Sequence, residues 1–347
     1  MNPVLATRWI KIVMAVSMAL PVGLYVFFGQ PAPSATQGMV WIPSGTYAMG
    51  RDLADHPEEA PVHPVKVKGF WMDRTEVTNR QFAKFVKATG YQTEAERLLD
   101  ARAFPHAKPE DLLPGGMVFR AIEGIDATMC GIGNLPWWTF TAGANWQHPD
   151  GPGSSIDNRM DHPVVQISYR DALAYCQWAG KRLPTEAEWE WAARGGLSHK
   201  SYTWGDTERP NGKIMCNHWQ GDFPAKDKVE DGFYGTAPAG SFPPNDYGLS
   251  DMAGNVWEFT ADWYDPGYYS QSTEEMPRGP ATGSDPQGTG FGQRAMRGGS
   301  WLCGTAYCFR YRPSARHGID ELTATNHVGF RCVSDSPAPA DTQSRSR

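Results

Sequence analysis

Residues 297–316 limit the possible folds of this chain most strongly, because they combine two cysteines five positions apart, four arginines and a double glycine. Side chains alternate between the two faces of a regular strand, so a strand would separate Cys303 from Cys308. Gly304 lies between them and permits a bend that can bring both sulfurs to one point. The sequence therefore predicts an irregular segment that holds two convergent thiols.

The arginines around this cysteine pair would favour thiolates over thiols. They are Arg297, Arg310, Arg312 and Arg316. Two thiolates without a histidine at metal-ligand spacing do not make a zinc site, which needs four ligands. They suit either a disulfide or Cu(I), a soft ion that prefers sulfur ligands. In an exported chain a nearby cysteine pair is most often a structural disulfide, so these residues leave both interpretations open.

Composition sets the broad class of the protein. The 347 residues are enough for one large domain or two ordinary ones with a sizeable core. A net charge of −6 without a long basic block argues against nucleic acid as a partner. The 37 glycines and 28 prolines predict many turns and few long elements, and the 14 tryptophans would fill a core that short elements cannot organise alone.

A targeting segment is predicted at residues 1–28. Arg8 and Lys11 precede an apolar run at residues 12–28, a pattern typical of a signal peptide or a membrane anchor, and both alternatives remain open. In either case we expect the main domain to be exported, to the periplasm or another extracytoplasmic compartment that permits disulfides. Contact with a membrane is expected only through this segment. Residues 29–38 are interpreted as a linker, 39–335 as one domain and 336–347 as a disordered tail.

Three helices are predicted from capping boxes, in which a hydroxyl residue is followed three positions later by a partner side chain. The pairs are Thr78 with Gln81, Ser168 with Asp171, and Thr185 with Glu188, and the helices end at Gly90, Gly180 and Gly195. The second helix places Cys176 on its buried face. Strands are predicted at residues 39–43, 45–50 and 62–71, with short strands and turns from Tyr202 onward.

Residues 91–160 are rich in proline and glycine, and we interpret them as a long, loop-rich insertion. A long irregular stretch inside a compact domain is uncommon and usually functional. Trp137 and Trp138 within it are either core side chains or the wall of a binding groove. For a single tryptophan the core is the more frequent position.

Five segments together resemble one family, the formylglycine-generating enzymes, also called sulfatase-modifying factors. They are residues 298–303, 308–312, 329–332, 179–190 and 254–258. The strings Leu-Pro-Thr-Glu-Ala-Glu-Trp-Glu and Gly-Asn-Val-Trp-Glu mark the broad superfamily, whereas the cysteine pair at this spacing marks the oxidase within it. The resemblance extends from about Val40 to Ser334.

This resemblance implies a fold and an activity. The fold is a single compact α+β domain, rich in irregular structure and related to the C-type lectins. The activity is the oxidation by O2 of a cysteine in a sulfatase Cys-x-Pro-x-Arg motif to formylglycine, by a monomeric enzyme. Cu(I) would lie between Cys303 and Cys308, with Ser300 and Asn326 beside it as polar partners for substrate or oxygen. Trp137, Trp138 and Trp301 would line the substrate groove.

The resemblance also implies two structural calcium sites, whose oxygen ligands suit Ca²⁺. The first uses the side chains of Asn217 and Asp231 with the carbonyls of His218 and Phe233. The second uses the side chains of Asp251 and Glu258 with the carbonyls of Gly254 and Val256, and Glu76 adds a further contact.

The family disulfide would join Cys176 to Cys332. The second disulfide of eukaryotic relatives falls on Ala193 and Pro313, so both of its cysteines are missing here. Cys130 and Cys216 are either small buried apolar residues or a pair. Two other functions stay open: an exported oxidase that acts on another thiol, and a non-catalytic member of the superfamily, against which the cysteine pair argues.

Overall fold

Three helices begin at side-chain caps and end at or next to glycine: α1 (Asn79–Thr89), α2 (Tyr169–Trp178) and α3 (Glu186–Arg194). In this computed structural model, which describes residues 36–99, 108–127, 135–286, 288 and 290–337, all three predicted capping boxes are formed. Gly90 and Gly195 adopt the left-handed conformation that terminates α1 and α3. The predicted positions of the helices are confirmed.

The strands of the described residues are short, as the glycine and proline content predicts. They are β1 (Met39–Ile42), β2 (Gly45–Met49), β3 (His63–Val67), β4 (Phe70–Asp73), β5 (Gly115–Phe119), β6 (Trp138–Ala142), β7 (Gly221–Asp222), β8 (Lys226–Asp227), β9 (Trp257–Trp263), β10 (Gln293–Arg297), β11 (Arg316–Asp320), β12 (Val328–Gly329) and β13 (Val333–Ser334). They form a four-stranded sheet, a three-stranded sheet and three two-stranded ladders.

The four-stranded sheet has the order β11-β10-β9-β12, in which only the β9–β12 pair is parallel. Its central strand β9 is almost wholly buried. The three-stranded sheet has the order β1-β4-β13 and brings the C-terminal strand back to the start of the domain. Residues 298–315, which connect β10 to β11, form no regular element.

The main core forms where α1 and α2 pack against each other and against the four-stranded sheet. Phe82 and Phe85 of α1 pack against Tyr175 of α2, and Tyr175 in turn contacts Phe330 beside β12. Cys176 is fully buried in the same cluster, as predicted from its helix face. A mixed domain of helices and strands around one main core is therefore confirmed.

Two expectations about strands differ from the structure. The predicted strand at 62–71 is divided into β3 and β4, which belong to different sheets, since β3 pairs with β2 and β4 pairs with β1 and β13. Between them Gly69 packs against the ring of Trp41, where a Cβ would lie 2.4 Å from that ring. The insertion at 91–160 is less irregular than expected, since β5 and β6 pair in register within it. These strands are separated by 18 residues, so no short-turn signal announces their pairing.

The predicted targeting segment and most of the predicted linker and tail lie outside the described residues. Contacts divide the chain into Met1–Pro31 and Ala32–Arg347, and the description above concerns the second unit. Among the residues that the structure describes, no helix has the length and apolar character needed to cross a membrane.

Replacement of Thr185 by alanine tests the capping box of α3. The Thr185 side chain accepts a hydrogen bond from the Glu188 N–H, so Thr185→Ala should lower the free energy of unfolding by about 1 kcal/mol. Urea denaturation of both proteins measures the difference. The exposed Thr273→Ala is the matched control and should change stability by less than about 0.5 kcal/mol; an equal loss in both variants would contradict the role of the cap.

Candidate active site

The loop at residues 298–315 bends back on itself and so brings Cys303 towards Cys308. Gly299 has φ +72°, and a Cβ there would lie 2.8 Å from the backbone of Arg310 in the returning segment. The Cys303 N–H donates to the Ser300 carbonyl at 2.9 Å, which closes a tight turn. Gly304 passes so close to the Trp219 carbonyl that a Cβ would lie 2.8 Å from it. The bend predicted between the cysteines is confirmed.

The two thiols interact with each other, and their environments differ. Cys303 is buried, and burial raises the pKa of its thiol well above the ordinary value. Cys308 is partly exposed, and its pKa is lowered because it accepts a hydrogen bond from the Cys303 thiol and lies beside the Arg310 guanidinium. Both are free thiols in the structure. The site therefore combines a buried thiol with a thiolate-prone partner.

One expectation about the four arginines is corrected here. Of the four, Arg310 is the arginine that acts on the cysteine pair. The other three are fully buried and held in ion pairs with carboxylates, so their charge is already compensated. The pairs are Arg297 with Glu186 (2.9 Å) and Glu190, Arg312 with Glu59 (2.5 and 2.8 Å), and Arg316 with Glu186 (2.7 and 2.8 Å).

Ser300 and Asn326 occupy different positions relative to the cysteines. Ser300 lies in the turn that carries Cys303, and its hydroxyl accepts from the Leu302 N–H at 3.3 Å. Asn326 accepts from the Phe119 N–H at 3.2 Å and donates to Asp150 at 3.1 Å. The first residue shapes the cysteine loop, whereas the second belongs to the wall of a neighbouring cavity.

That cavity, with a volume of about 270 Å³, adjoins the cysteine loop through Trp301. Its lining includes Phe119, Asp150, Arg159, Tyr234, Trp301 and Asn326. The Trp301 indole donates to the Asn326 carbonyl at 3.4 Å. The exposed Tyr234 ring lies beside the same indole, with ring centroids 6.0 Å apart. Aromatic walls with a few polar groups are typical of a binding cleft.

The other two predicted groove residues lie near this cavity but outside its lining. Trp137 is 1% exposed and is covered by Phe223 and Tyr307. Trp138 is partly exposed and packs on the ring of His327, with ring centroids 4.6 Å apart. The structure thus gives Trp137 a core position and leaves one face of Trp138 at the surface.

Ligands of the first predicted calcium site approach one another. The Asp231 carboxylate accepts from the N–H groups of His218 and Phe233, at 3.3 and 2.9 Å. The Gln220 side-chain amide donates both to Asp231, at 2.8 Å, and to the His218 carbonyl. The Asp231 carboxylate and the His218 carbonyl therefore point to one position, which the Gln220 side-chain amide occupies in this structure.

The second predicted calcium site holds more negative than positive charge. The side chains of Glu76, Asp251 and Glu258 are all buried, and Arg331 is the cation beside them. Arg331 donates to both oxygens of Glu258 at 2.7 Å. Within the described residues, Oε2 of Glu76 is buried without a hydrogen-bond partner. Burial raises the pKa of Glu76 well above its ordinary value and that of Asp251 to about 6. The oxygens of Glu76 and Asp251 fit a hard cation such as Ca²⁺, whereas both oxygens of Glu258 already accept from Arg331.

The remaining cysteines have separate positions. The sulfurs of Cys176 and Cys332 lie 3.1 Å apart as free thiols, and a disulfide would shorten this distance to about 2.0 Å. The structure thus brings this predicted pair together, and the bond itself stays a prediction. Cys216 is buried 3.8 Å from the His218 ring nitrogen. Cys130 lies outside the described residues.

Comparison with known proteins decides the family. The model of the sulfatase-modifying factor enzyme 1-like domain matches residues 27–336. The formylglycine-generating enzyme of Thermomonospora curvata is 48% identical over 305 residues, which cover 86% of this chain and 94% of that protein. The chain belongs to this family. The resemblance derived from the cysteine, Leu-Pro-Thr-Glu and Gly-Asn-Val-Trp-Glu motifs is thereby confirmed.

Two further comparisons limit what family membership shows. The solved structure of PvdO from Pseudomonas aeruginosa has a TM-score of 0.55 and 22% identity, and covers 85% of this chain and 93% of that one, which supports the fold alone. An inactive Cα-formylglycine-generating enzyme 2 from Bos taurus is 40% identical and covers 88% of this chain and 90% of that protein. Because the family includes an inactive protein, the activity of this member has to be argued from its site.

Several residues of the site were not predicted from the sequence. Asp150 and Arg159 lie in the long insertion, where no motif marks them. Glu58 lies in a short acidic loop at residues 55–59, far from the cysteines in sequence, yet it contacts Arg310 beside Cys308. The opposite charges of residues 55–59 and of residues 297–316 were the available signal for this contact, but many loops carry such charges.

The difference between the two thiols can be measured by alkylation. At pH 7 the reduced protein should react with iodoacetamide first at Cys308, because its lowered pKa gives more thiolate and it is partly exposed. Its rate should fall less steeply between pH 8 and pH 6 than that of an ordinary thiol with a pKa of about 8.5. Peptide mass mapping gives the rates, and the buried Cys216 is the internal comparison. Earlier labelling of Cys303 or Cys216 would contradict this assignment.

Proposed function

We propose that this protein matures a sulfatase by oxidising the cysteine of its Cys-x-Pro-x-Arg motif to formylglycine, with Cu(I) and O2. The observation that supports this most is the convergence of Cys303 and Cys308 in a loop otherwise held by buried ion pairs. The names of four relatives, each called formylglycine-generating enzyme, agree with the proposal. A family member without catalytic function would not need a pair of thiols with opposite pKa shifts.

The chemistry requires electrons from two sources. Conversion of the cysteine side chain to an aldehyde with loss of hydrogen sulfide is a two-electron oxidation, and reduction of O2 to water takes four electrons. Two further electrons would come from external thiols, which become a disulfide, and one water is formed. Cys303 and Cys308 would hold Cu(I), which when bound supplies a centre that accepts a substrate thiolate and reacts with O2.

The protein itself would supply position and exclusion of water. Burial of Cys303 keeps one side of the site dry, whereas Cys308 is partly exposed to solvent. The cavity beside Trp301 is of a size and character suited to an extended peptide segment, with aromatic walls and the carboxylate of Asp150 among its polar groups.

The buried carboxylates support the proposal of structural calcium. Three carboxylates and one guanidinium leave excess negative charge away from water, which is unfavourable unless a cation or protons compensate it. Asn217, Asp231 and the carbonyls of His218 and Phe233 would form one site. Asp251, Glu258, Glu76 and the carbonyls of Gly254 and Val256 would form the other.

We also propose that the protein acts outside the cytoplasm. The support is the basic and then apolar N-terminal sequence, with Arg8 and Lys11 at its start. An oxidising compartment would allow the Cys176–Cys332 disulfide, which encloses a long segment of the chain.

Turnover of a peptide with the Cys-x-Pro-x-Arg motif tests the activity. The full chain with Cu(I), O2 and a thiol reductant should produce the peptide aldehyde, and Cys303→Ser or Cys308→Ser should each lower the rate at least about 100-fold, because each removes a metal ligand. Mass spectrometry detects the product. Cys216→Ala is the matched control and should remain active. No conversion by the folded, copper-loaded protein would exclude this substrate motif and favour another thiol substrate.

Removal of calcium tests the proposed calcium sites. We expect EGTA to lower the melting temperature, because a cation that binds the folded state stabilises it. Without the cation, Asp251 has a folded pKa of about 6 against an ordinary value near 4, so the folded state binds more protons and stability falls as the pH rises from about 4 to 6.

Asp251→Asn should therefore be more stable than the wild type in EGTA at pH 7, and should gain less from added calcium. Thermal denaturation in both conditions measures this. The exposed Asp161→Asn is the control and should keep the full response to calcium. A melting temperature unaffected by EGTA would remove the calcium proposal.

A further inference from the structure

The acidic loop at residues 55–59 packs against the arginines of the cysteine loop. Arg312 donates to both oxygens of the buried Glu59, at 2.5 and 2.8 Å, and Arg316 donates to the Glu58 carbonyl at 3.2 Å. Arg310 donates to the Glu58 carboxylate at 3.1 Å. The acidic loop therefore fixes the segment that follows Cys308, although about 250 residues separate them in sequence.

Arg310 connects this loop to the sulfur atoms. Its backbone N–H donates to the Cys308 carbonyl at 2.7 Å, and its guanidinium acts electrostatically on both cysteines. Its Nε is buried and has no hydrogen-bond partner within the residues described, so the group still has a donor to offer. The side chain of Glu58 is 12% exposed and that of Arg310 is 26% exposed, so water screens this contact less than it screens a surface pair.

The same loop could be interpreted as a metal site of its own, because ligand atoms of His56, Glu58 and Glu59 lie within 4.8 Å of one another. However, both oxygens of Glu59 are taken by Arg312, and Glu58 is bound by Arg310 and by the His56 ring nitrogen at 3.3 Å. With two guanidiniums against the carboxylates, a cation would be repelled. The arrangement is better suited to holding the arginines.

We propose that Arg310 is a positioning residue for the thiolate pair, and that Glu58 holds its guanidinium against Cys308. This inference rests on the proposed function. Two thiolates around a monovalent cation carry one net negative charge, and a substrate thiolate adds a second. A guanidinium in contact with the sulfurs offsets this charge, provided that its planar group is kept in place by a second partner.

The test is the affinity of the full-length, reduced protein for Cu(I), measured without oxygen by competition with a chromophoric Cu(I) chelator. Arg310→Met should weaken binding about 10- to 100-fold, the usual effect of losing a group that supports a metal ligand. Arg310→Lys keeps the charge and should recover most of the affinity. Arg80→Met removes an exposed, paired arginine elsewhere and should bind as the wild type.

Two substitutions of Glu58 separate position from charge. Glu58→Gln keeps an oxygen that can accept from Arg310 and should stay within about threefold of the wild type. Glu58→Ala removes the acceptor and should weaken binding towards the level of Arg310→Met. In the Arg310→Met background Glu58→Ala should have no further effect, because Glu58 acts through Arg310. If Arg310→Met fails to fold, the Arg310→Lys, Glu58→Ala and Glu58→Gln variants carry the test.

Each other outcome overturns the inference. Wild-type affinity in Arg310→Met or in Glu58→Ala would show that the guanidinium does not support the site. Equal loss in Arg310→Met and Arg310→Lys would show a packing role instead of an electrostatic one. Additive losses in the double variant would show that Glu58 acts independently. No Cu(I) binding by the wild type would instead overturn the proposed copper chemistry, and this inference with it.

Discussion

Arg297 and Arg316 donate to the same buried carboxylate, that of Glu186, from the two ends of the cysteine loop. Arg297 is the last residue of β10 and Arg316 is the first of β11, while Glu186 begins α3. An irregular segment of this length would not keep one geometry by itself. Because removal of one partner would leave a buried charge uncompensated, at a cost of about 3–5 kcal/mol, the three residues act as one structural unit.

This ion-pair unit has an electrostatic consequence for the sulfurs. A stretch with four arginines suggests a generally positive environment, but the charges of Arg297, Arg312 and Arg316 are compensated by glutamates. The charge that acts on the cysteines is that of Arg310, which follows Cys308 by two residues and is held by Glu58. The two thiols consequently differ, with the buried one held protonated and the other favoured as thiolate. The number of arginines in the sequence does not distinguish this difference between the two thiols from an equal positive environment around both.

The parts of the fold that were predictable depend on local rules. The helices follow from Thr78, Ser168 and Thr185 as caps and from glycines at the helix ends, because capping is decided within a few residues. The pairing of β5 with β6 was not predictable, because the strands meet across a long connection without a turn signature. The bend at Gly304 was predictable, because a regular strand would place Cys303 and Cys308 on opposite faces and a glycine between them permits a bend.

In the candidate site, too, some residues were predictable from the sequence and others were not. The cysteines themselves, Ser300 and the Cys176–Cys332 neighbours could be named from motifs. The partners that give the site its electrostatics could not, since Glu58 and Asp150 come from distant loops and neither belongs to a motif. Periodicity describes which face of an element is buried, but it carries no information on which carboxylate meets which guanidinium. That choice is made by tertiary packing.

The segments proposed to bind calcium also hold the start of the cysteine loop. The Trp219 N–H donates to the Cys303 carbonyl at 2.9 Å. Two further backbone bonds hold the residues before Cys303. The Trp301 N–H donates to the Asn255 carbonyl at 3.0 Å, and the Gly254 N–H donates to the Gly298 carbonyl at 2.9 Å. The Asn255 side chain joins the two groups of proposed ligands, since it accepts from the Asn217 amide and donates to Glu76. Order in these oxygen-rich turns is therefore transmitted to Cys303 through backbone hydrogen bonds. Cys308 receives its support from the other side, through Arg310 and the acidic loop, so the two sulfurs are positioned by independent parts of the fold.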